Sequence, residues 1–157
     1  MPFFWLDTNV FIQAHRGPYA FDIAPGFWEG LERGIHDGLV RSPREVLAEI
    51  TAGDWLAGWA DSVKSDLFVQ SDATVQRAFT PIADHVKTSY PAQWVAKFLA
   101  KADPWVIAHA QNDHGTIVTL ETRTEPTHVK IPIVGEHFGV NSINTYELMR
   151  RLGIRLR

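Results

Sequence analysis

Four acidic residues lie where apolar segments of the sequence meet a turn or a helix: Asp7, Glu49, Asp103 and Glu121. Asp7 ends the run Phe3–Leu6, and Glu121 follows the run Thr116–Leu120. Carboxylates are rarely placed against apolar segments unless they are paired or bind a cation. We therefore expect the four side chains to share one pocket for Mg²⁺ or Mn²⁺, the hard cations that prefer oxygen ligands.

The chemistry that such a pocket predicts is hydrolysis of a phosphodiester. Two metal ions held roughly 3.5–4 Å apart can activate a water molecule and stabilise the leaving oxygen. This mechanism needs no cysteine, and the chain contains none. The sequence also lacks a Gly-x-Ser-x-Gly nucleophile elbow and a phosphate-binding Gly-x4-Gly-Lys-[Ser/Thr] loop.

Each acid also has a purely structural explanation. Asp7 and Asp103 are placed where N-caps of helices occur. Glu49 fits a solvated helix residue, and Glu45 shares its helix face and is the alternative ligand. Glu121 fits an exposed position in the polar loop 121–128. The placement of all four at predicted sheet-edge positions favours the shared site over four separate coincidences.

The elements that must position these acids alternate between strand and helix. This alternation predicts a three-layer α/β/α sandwich with a mainly parallel sheet. In such sheets ligands collect beyond the carboxyl ends of the strands, so Asp7 and Glu121 should face the same edge. The predicted strands are Phe3–Leu6, Leu39–Arg41, Phe68–Val69, Thr116–Thr119 and, at an edge, Ile154–Leu156. Val129–Ile131 is predicted as a further strand or an extended segment.

Helices are predicted from apolar periodicity and from capping residues. Ser42 is expected to cap the helix that carries Glu49, with Pro43 in its first turn and Gly53 as its end. Residues 15–26 contain Pro and Gly and are predicted to form a loop. The other predicted helices are 10–14, 27–37, 54–65, 72–90, 91–100, 103–112 and 146–152.

Composition limits the class of protein. The 157 residues, 45% of them hydrophobic and 11% aromatic, fit a single domain over 1–157 with a packed core. The absence of cysteine excludes disulfides and thiolate zinc sites and suits a reducing cytoplasm. We see no signal peptide and no membrane span of roughly 18 apolar residues. The net charge of −3 and the pI of 6.1 give no global basic field for nucleic acid.

Four segments together resemble the motifs of PIN-domain nucleases. Trp5–Ile12 resembles their opening strand, and Ser42–Ile50 is similar to their second acidic motif. Ala102–Ala110 resembles the third motif, and Thr116–Glu121 resembles the strand that carries the last acid. The closest resemblance is to a bacterial PIN-like family of unknown function, which shares the segments Phe21–Trp28 and Val129–Pro132.

This resemblance implies metal-dependent cleavage of RNA, and many PIN proteins are toxins of toxin–antitoxin modules that a partner protein silences. It also implies a homodimer. The residues it implies as Mg²⁺ or Mn²⁺ ligands are Asp7, Glu49, Asp103 and Glu121, with Asn9 orienting Asp7 or a metal-bound water and Thr119 supporting the ligands. Glu121 replaces an acid that is often Asp, and the segments 14–38 and 122–142 are longer than in minimal toxins.

Several assignments stay open from the sequence. Arg44 and Lys101 either contact substrate phosphates or form salt bridges with the acids. His109 is either packed in the core or part of the site, with packing favoured. Five tryptophans at helical spacing are core residues by default and base-stacking residues as the alternative: Trp28, Trp55, Trp59, Trp94 and Trp105. The rival functions are a catalytically silent PIN-like scaffold for RNA or protein and a DNA-directed nuclease.

Overall fold

The computed structural model describes residues 3–50, 54–124 and 127–156. Gly53, the predicted helix end, lies outside these ranges. The elements of the described ranges are β1 (Phe4–Leu6), α1 (Thr8–Arg16), α2 (Pro25–His36), β2 (Val40–Pro43), α3 (Arg44–Glu49), α4 (Trp55–Leu67), β3 (Phe68–Val69), α5 (Ala73–Ser89), α6 (Ala92–Leu99), α7 (Asp103–Asp113), β4 (Thr116–Val118), α8 (Ile131–His137), β5 (Ser142–Ile143) and α9 (Thr145–Leu152).

The sheet has the order β3-β2-β1-β4-β5, and every strand pair in it is parallel. β1 lies at the centre, with Phe4 opposite Val40 of β2 and opposite Thr116 of β4. Helices cover both faces, which is why all three residues of β1 are buried. The predicted three-layer α/β/α sandwich with a mainly parallel sheet is confirmed.

Helix α7 lies across the central strands of the sheet. It packs against β1, β2 and β4, and α5 and α8 pack against it in turn. Trp5 of β1 faces this helix, because its indole stacks on His109 with ring centroids 4.5 Å apart. Phe4 and Leu6 face the opposite layer because side chains alternate along a strand. In that layer α2 and α4 pack against β2, and α9 packs against α2.

Two predicted strands are wrong. Val129–Ile131 does not join the sheet, and Ile131 is instead the first residue of α8, with Pro132 in the first turn, where proline is well tolerated. Ile154–Leu156 is not an edge strand either. Ile154 follows α9 and packs so closely on Gly30 that a Cβ there would lie 2.6 Å from it. The two edge strands of the sheet are β3 and β5, and β5 was not predicted.

The predicted capping role of Ser42 is also wrong. β2 continues through Ser42 and Pro43, which pair with Phe68 and Val69 of β3. The Ser42 hydroxyl is buried and donates a hydrogen bond to the backbone oxygen of Leu6 at 2.5 Å. Helix α3 therefore begins one residue later than predicted, with Pro43 at the N-cap position.

Candidate acidic site

The site lies at the carboxyl end of the two central strands. The Asp7 backbone N–H donates to Val118 O of β4 at 3.0 Å, and the Thr119 N–H donates to Ile143 O of β5 at 3.0 Å. Both residues thus come directly after a hydrogen-bonded strand end and are fixed side by side. This is the edge of a parallel sheet where ligands collect.

Asp7 is buried, with 2% of its surface exposed, and two donors hold its carboxylate. Its Oδ1 accepts from the Thr8 backbone N–H at 2.8 Å as the N-cap of α1, and its Oδ2 accepts from the Thr119 hydroxyl at 3.2 Å. Burial, then the negative charge of Glu121 and that of Glu49, raise the pKa of Asp7 to about 7. The two hydrogen bonds oppose this rise without cancelling it.

Asp103 is the first residue of α7, and its side chain is buried. Burial, then the charges of Asp7, Glu121 and Glu49, raise its pKa to about 8, against the opposing effect of Lys101. Ala102 occupies the N-cap position, so Asp103 does not act as that cap. Within the described ranges no donor forms a hydrogen bond with its carboxylate.

Glu49 ends α3 and ties three elements together. Its Oε1 accepts from the Thr8 hydroxyl of α1, and its Oε2 accepts from the Ala102 N–H before α7 at 2.8 Å. Glu45, the alternative ligand, has a buried Oε1 with no partner in the described part of the chain. Because the charge of Glu49 acts on Asp7 and on Asp103, the structure brings Glu49 to these acids.

Glu121 is held by the helix that follows the long loop. Its Oε2 accepts from the Ile131 N–H at the start of α8 at 2.7 Å. Its own N–H donates to the Thr119 hydroxyl at 3.1 Å. The hydroxyl of Thr119 therefore links Glu121 to Asp7, and the segment after Glu121 returns to the site.

The four acids occupy one region. The charges of Asp7, Glu121 and Glu49 are therefore close enough to raise the pKa of Asp103. Their oxygens are the donor type that Mg²⁺ and Mn²⁺ prefer, and a cation would relieve both the repulsion and the burial penalty. As the described side chains stand, no group of three or more acidic or histidine residues could hold a metal ion. The arrangement fits a hard cation by charge and chemistry, and coordination would require side-chain rotation or bridging water.

The remaining predicted site residues lie at the surface around this region. Asn9 is exposed on the first turn of α1 and forms no hydrogen bond with Asp7. Arg44 is exposed at the start of α3. Lys101 is exposed, and its charge reaches Asp103. The sequence did not identify Thr8, whose hydroxyl holds Glu49; the Asp7-Thr8-Asn9 turn was the only signal for it.

His109 and most of the tryptophan residues belong to the core. His109 is buried against Trp5, and a hydrogen bond of 3.2 Å joins its Nε2 to the Ser71 hydroxyl. Burial lowers the pKa of His109 to about 4, as expected for a packed neutral ring. Trp94 is only half-buried; it stacks on His128 with centroids 3.7 Å apart. The other four tryptophans are buried or pack against the core: Trp28, Trp55, Trp59 and Trp105.

None of the helices in the described ranges combines the length and the apolar character that crossing a membrane requires.

Comparison with known proteins places the chain in a family. Residues 4–156 match the family described as "Domain of unknown function (DUF4411)", and the chain belongs to it. No curated protein matches the sequence. Among solved structures, the chain is similar to one in the crystal structure of VapBC2 from Rickettsia felis bound to a DNA fragment from their promoter. The identity is 14%, the TM-score is 0.56, and the match covers 90% of this chain and 98% of that chain, so the two share a fold.

Proposed function

We propose that the protein is a Mg²⁺- or Mn²⁺-dependent endoribonuclease and the toxin of a toxin–antitoxin pair, acting in the cytoplasm as one domain. The observation that supports this proposal is the pair Asp7 and Asp103. Both are buried at the carboxyl edge of the sheet; the charges of Glu121 and Glu49 raise the pKa of both, and the charge of Asp7 also raises the pKa of Asp103. Strongly perturbed acids gathered in one place are typical of a functional site.

The four acids would hold the metal, with Asp7 and Asp103 in the centre and Glu49 and Glu121 on the flanks. A bound metal supplies an activated water and stabilises the charge that develops on the phosphate. Thr119 and Thr8 orient the carboxylates of Asp7 and Glu49 through hydrogen bonds. Because ligands must be deprotonated, the raised pKa values mean that cation entry releases protons near neutral pH.

Phosphate recognition is assigned to the cations beside the acids. Lys101 lies at the entrance of α7 and is exposed, and its charge already acts on Asp103. In this proposal Lys101 pairs with a phosphate that enters beside the four acids. Arg44 is exposed at the start of α3, the helix that carries Glu49, and is the second candidate contact.

The fold shared with a chain of the VapBC2 structure supports a partner protein for this chain as well. We propose that an antitoxin covers the acidic edge and that the toxin is a homodimer. Co-expression with the neighbouring reading frame, followed by co-purification, tests the partner. Cleavage that the co-purified protein does not inhibit would remove the antitoxin from the proposal.

The central experiment compares the purified protein with Asp7→Asn on a labelled single-stranded RNA and on a DNA of the same sequence. We expect Mn²⁺-stimulated cleavage of the RNA by the unchanged protein and none by the variant, which keeps the N-cap oxygen and the fold. Equal cleavage by both proteins would exclude Asp7 from the chemistry. Cleavage of DNA in preference to RNA would favour the DNA-directed nuclease.

A catalytically silent scaffold is the second candidate. It is favoured by the lack, among the described side chains, of a ready group of three metal ligands. Calorimetric titration with Mn²⁺ separates the two functions. Binding that is lost in Asp7→Asn supports the nuclease, and no heat of binding at millimolar Mn²⁺ supports the scaffold.

A further inference from the structure

An open hollow of about 460 Å³ lies directly beside the acidic site. Thr119 and Glu121 form part of its wall, so the hollow is continuous with the site. Its volume falls within the roughly 300–1,000 Å³ of ligand pockets. None of the roles described so far uses it.

The wall combines apolar surface with hydrogen-bond acceptors. Leu120, Pro132 and Ile143 supply apolar contacts. Glu147, on the first turn of α9, supplies a carboxylate that is 42% exposed. Its Oε1 accepts from Arg151 at 3.2 Å, whereas no described residue donates to its Oε2.

A second group in the wall lacks a partner. The hydroxyl oxygen of Ser142, in β5, is buried and forms no hydrogen bond with the described residues. A buried hydroxyl without a partner is costly, and Ser142 lines the hollow. A ligand that brings hydrogen-bond donors would therefore satisfy Ser142 and Glu147 together.

The charge of the hollow selects against an anion. Glu121 and Glu147 are both in the wall, and the one cation in the described wall, Arg123, already pairs with Glu136. A phosphate would be repelled, whereas a flat ring with donor groups fits. The apolar residues would contact the faces or edges of such a ring.

We propose that this hollow binds the nucleobase next to the scissile phosphate and that the Glu147 carboxylate selects a base with donor groups, guanine first and uracil last. This inference rests on the proposed RNA substrate. Guanine carries two adjacent donors, N1–H and the exocyclic amino group, that match the two oxygens of a carboxylate. Adenine and cytosine offer one amino group each, and uracil offers a single N3–H between two carbonyl oxygens that a carboxylate repels.

The test measures binding without cleavage. Four fluorescent pentaribonucleotides of uridine, with guanine, adenine, cytosine or uracil at the centre, are titrated with the protein in Ca²⁺ in place of Mg²⁺, and a gel verifies that they stay intact. Fluorescence anisotropy gives the affinities. We expect guanine to bind about tenfold more tightly than uracil, as one good base contact allows.

Two variants decide whether Glu147 causes the preference. Glu147→Gln should reduce the ratio between guanine and uracil to near one. Arg151→Gln is the matched control, because it removes the same exposed ion pair and does not line the hollow; it should keep the ratio. Exposed pairs of this kind contribute little to stability, so both variants should fold.

The outcomes separate this inference from the nuclease proposal. Equal affinity for the four oligonucleotides, no binding of any, or an unchanged ratio in Glu147→Gln would overturn the base pocket. RNA cleavage together with such a result would support the nuclease proposal and exclude the base pocket. A guanine preference that depends on Glu147, without cleavage in Mg²⁺ or Mn²⁺, keeps the pocket and removes the nuclease.

Discussion

Helix α7 carries an aspartate at each end, Asp103 buried and Asp113 half-buried, and the two are accommodated in different ways. Asp103, the first residue, lies among other acids and receives no hydrogen bond from the described residues. Asp113, the last residue, lies at the opposite edge of the sheet beside Trp5. Burial raises the pKa of both carboxyl groups. Their neighbours make the difference.

The surroundings of Asp113 satisfy its carboxylate. The Trp5 indole N–H donates to its two oxygens at 3.0 and 2.9 Å, and the Gly115 N–H donates to Oδ1 at 3.0 Å. Gly115 has to be glycine, since a Cβ there would lie 2.8 Å from Asp113 Oδ1 and 2.8 Å from the Trp5 ring. These hydrogen bonds oppose the effect of burial, although the pKa of Asp113 stays above its usual value.

This contrast distinguishes an acid that receives hydrogen bonds from one that is surrounded by like charges. A buried carboxylate with neutral donors is a structural group. A buried carboxylate facing three like charges costs stability, and such a cost is typical of functional sites. Substitutions at the two ends of α7, and at the acids around Asp103, test this distinction.

The largest expected effect is on cleavage. Asp103→Asn should reduce the Mn²⁺-dependent rate by on the order of 10²-fold or more, because it removes a charge from the proposed metal site. Asp113→Asn, the matched control at the other end of the helix, should leave the rate unchanged. Single-turnover assays on RNA measure both. A comparable loss in the two variants would mean that the ends of α7 do not differ in function.

The reverse order is expected for stability. Asp113→Ala leaves the Trp5 indole N–H buried without its acceptor, which should cost about 1–3 kcal/mol in the free energy of unfolding. Asp103→Ala removes a repelled carboxyl group and should be no less stable than the unchanged protein at about pH 8. Urea denaturation gives both values. Greater destabilisation by Asp103→Ala would contradict the assignment of Asp113 as the structural acid.

A smaller effect is expected at Thr119, which links Asp7 to Glu121. Thr119→Val should weaken Mn²⁺ binding by about tenfold, as loss of a supporting hydrogen bond does at metal sites. It should also raise the pKa of Asp7 further, because the Thr119 hydroxyl now lowers it. Thr119→Ser retains the hydroxyl and should restore binding in calorimetry. Failure of serine to restore it would assign the effect to packing.

The smallest effect is a pH dependence of stability. The folded pKa values of about 7 for Asp7 and about 8 for Asp103 exceed those of the unfolded chain. Between the ordinary value of 3.8 and these folded values the folded state binds more protons, so the free energy of unfolding falls as pH rises toward about 8. Below the ordinary histidine value of 6.5 the lowered pKa of His109 opposes this trend, so the fall is clearest from about 6.5 to about 8.

Calorimetric melting of the metal-free protein measures this fall. Each 1 kcal/mol corresponds to about 2–4 °C in Tm for a chain of this size. If the proposed metal site exists, Mg²⁺ would bind the ionised carboxylates and flatten the profile, and Asp103→Asn should flatten it as well. A Tm that rises with pH in the metal-free protein would contradict the raised pKa values.

Apolar runs and caps were sufficient to predict β1, β4 and α7, and hence the edge where Asp7 lies. They failed at β5, whose two residues, Ser142 and Ile143, are too short to show alternation. They failed at Ile131 because a β-branched residue before proline is typical of both an extended segment and a helix start.

Within the site, the sequence indicated which residue types meet but not what holds them. Glu49 is held by the backbone of Ala102 and by Thr8, and Glu121 by the backbone of Ile131. Backbone donors carry no side-chain signature, so no motif could reveal them. Ser42 illustrates the same limit: pairing with β3 decided its role against its capping preference.

The hydrogen bond from the Ile131 amide to Glu121 makes that amide a reporter. A cation that draws the Glu121 carboxylate away would leave this single N–H without its acceptor at the start of α8. Its deuterium uptake should then accelerate while the neighbouring turns stay protected. Exchange at this one amide would thus report cation binding at the acidic site without a cleavage assay.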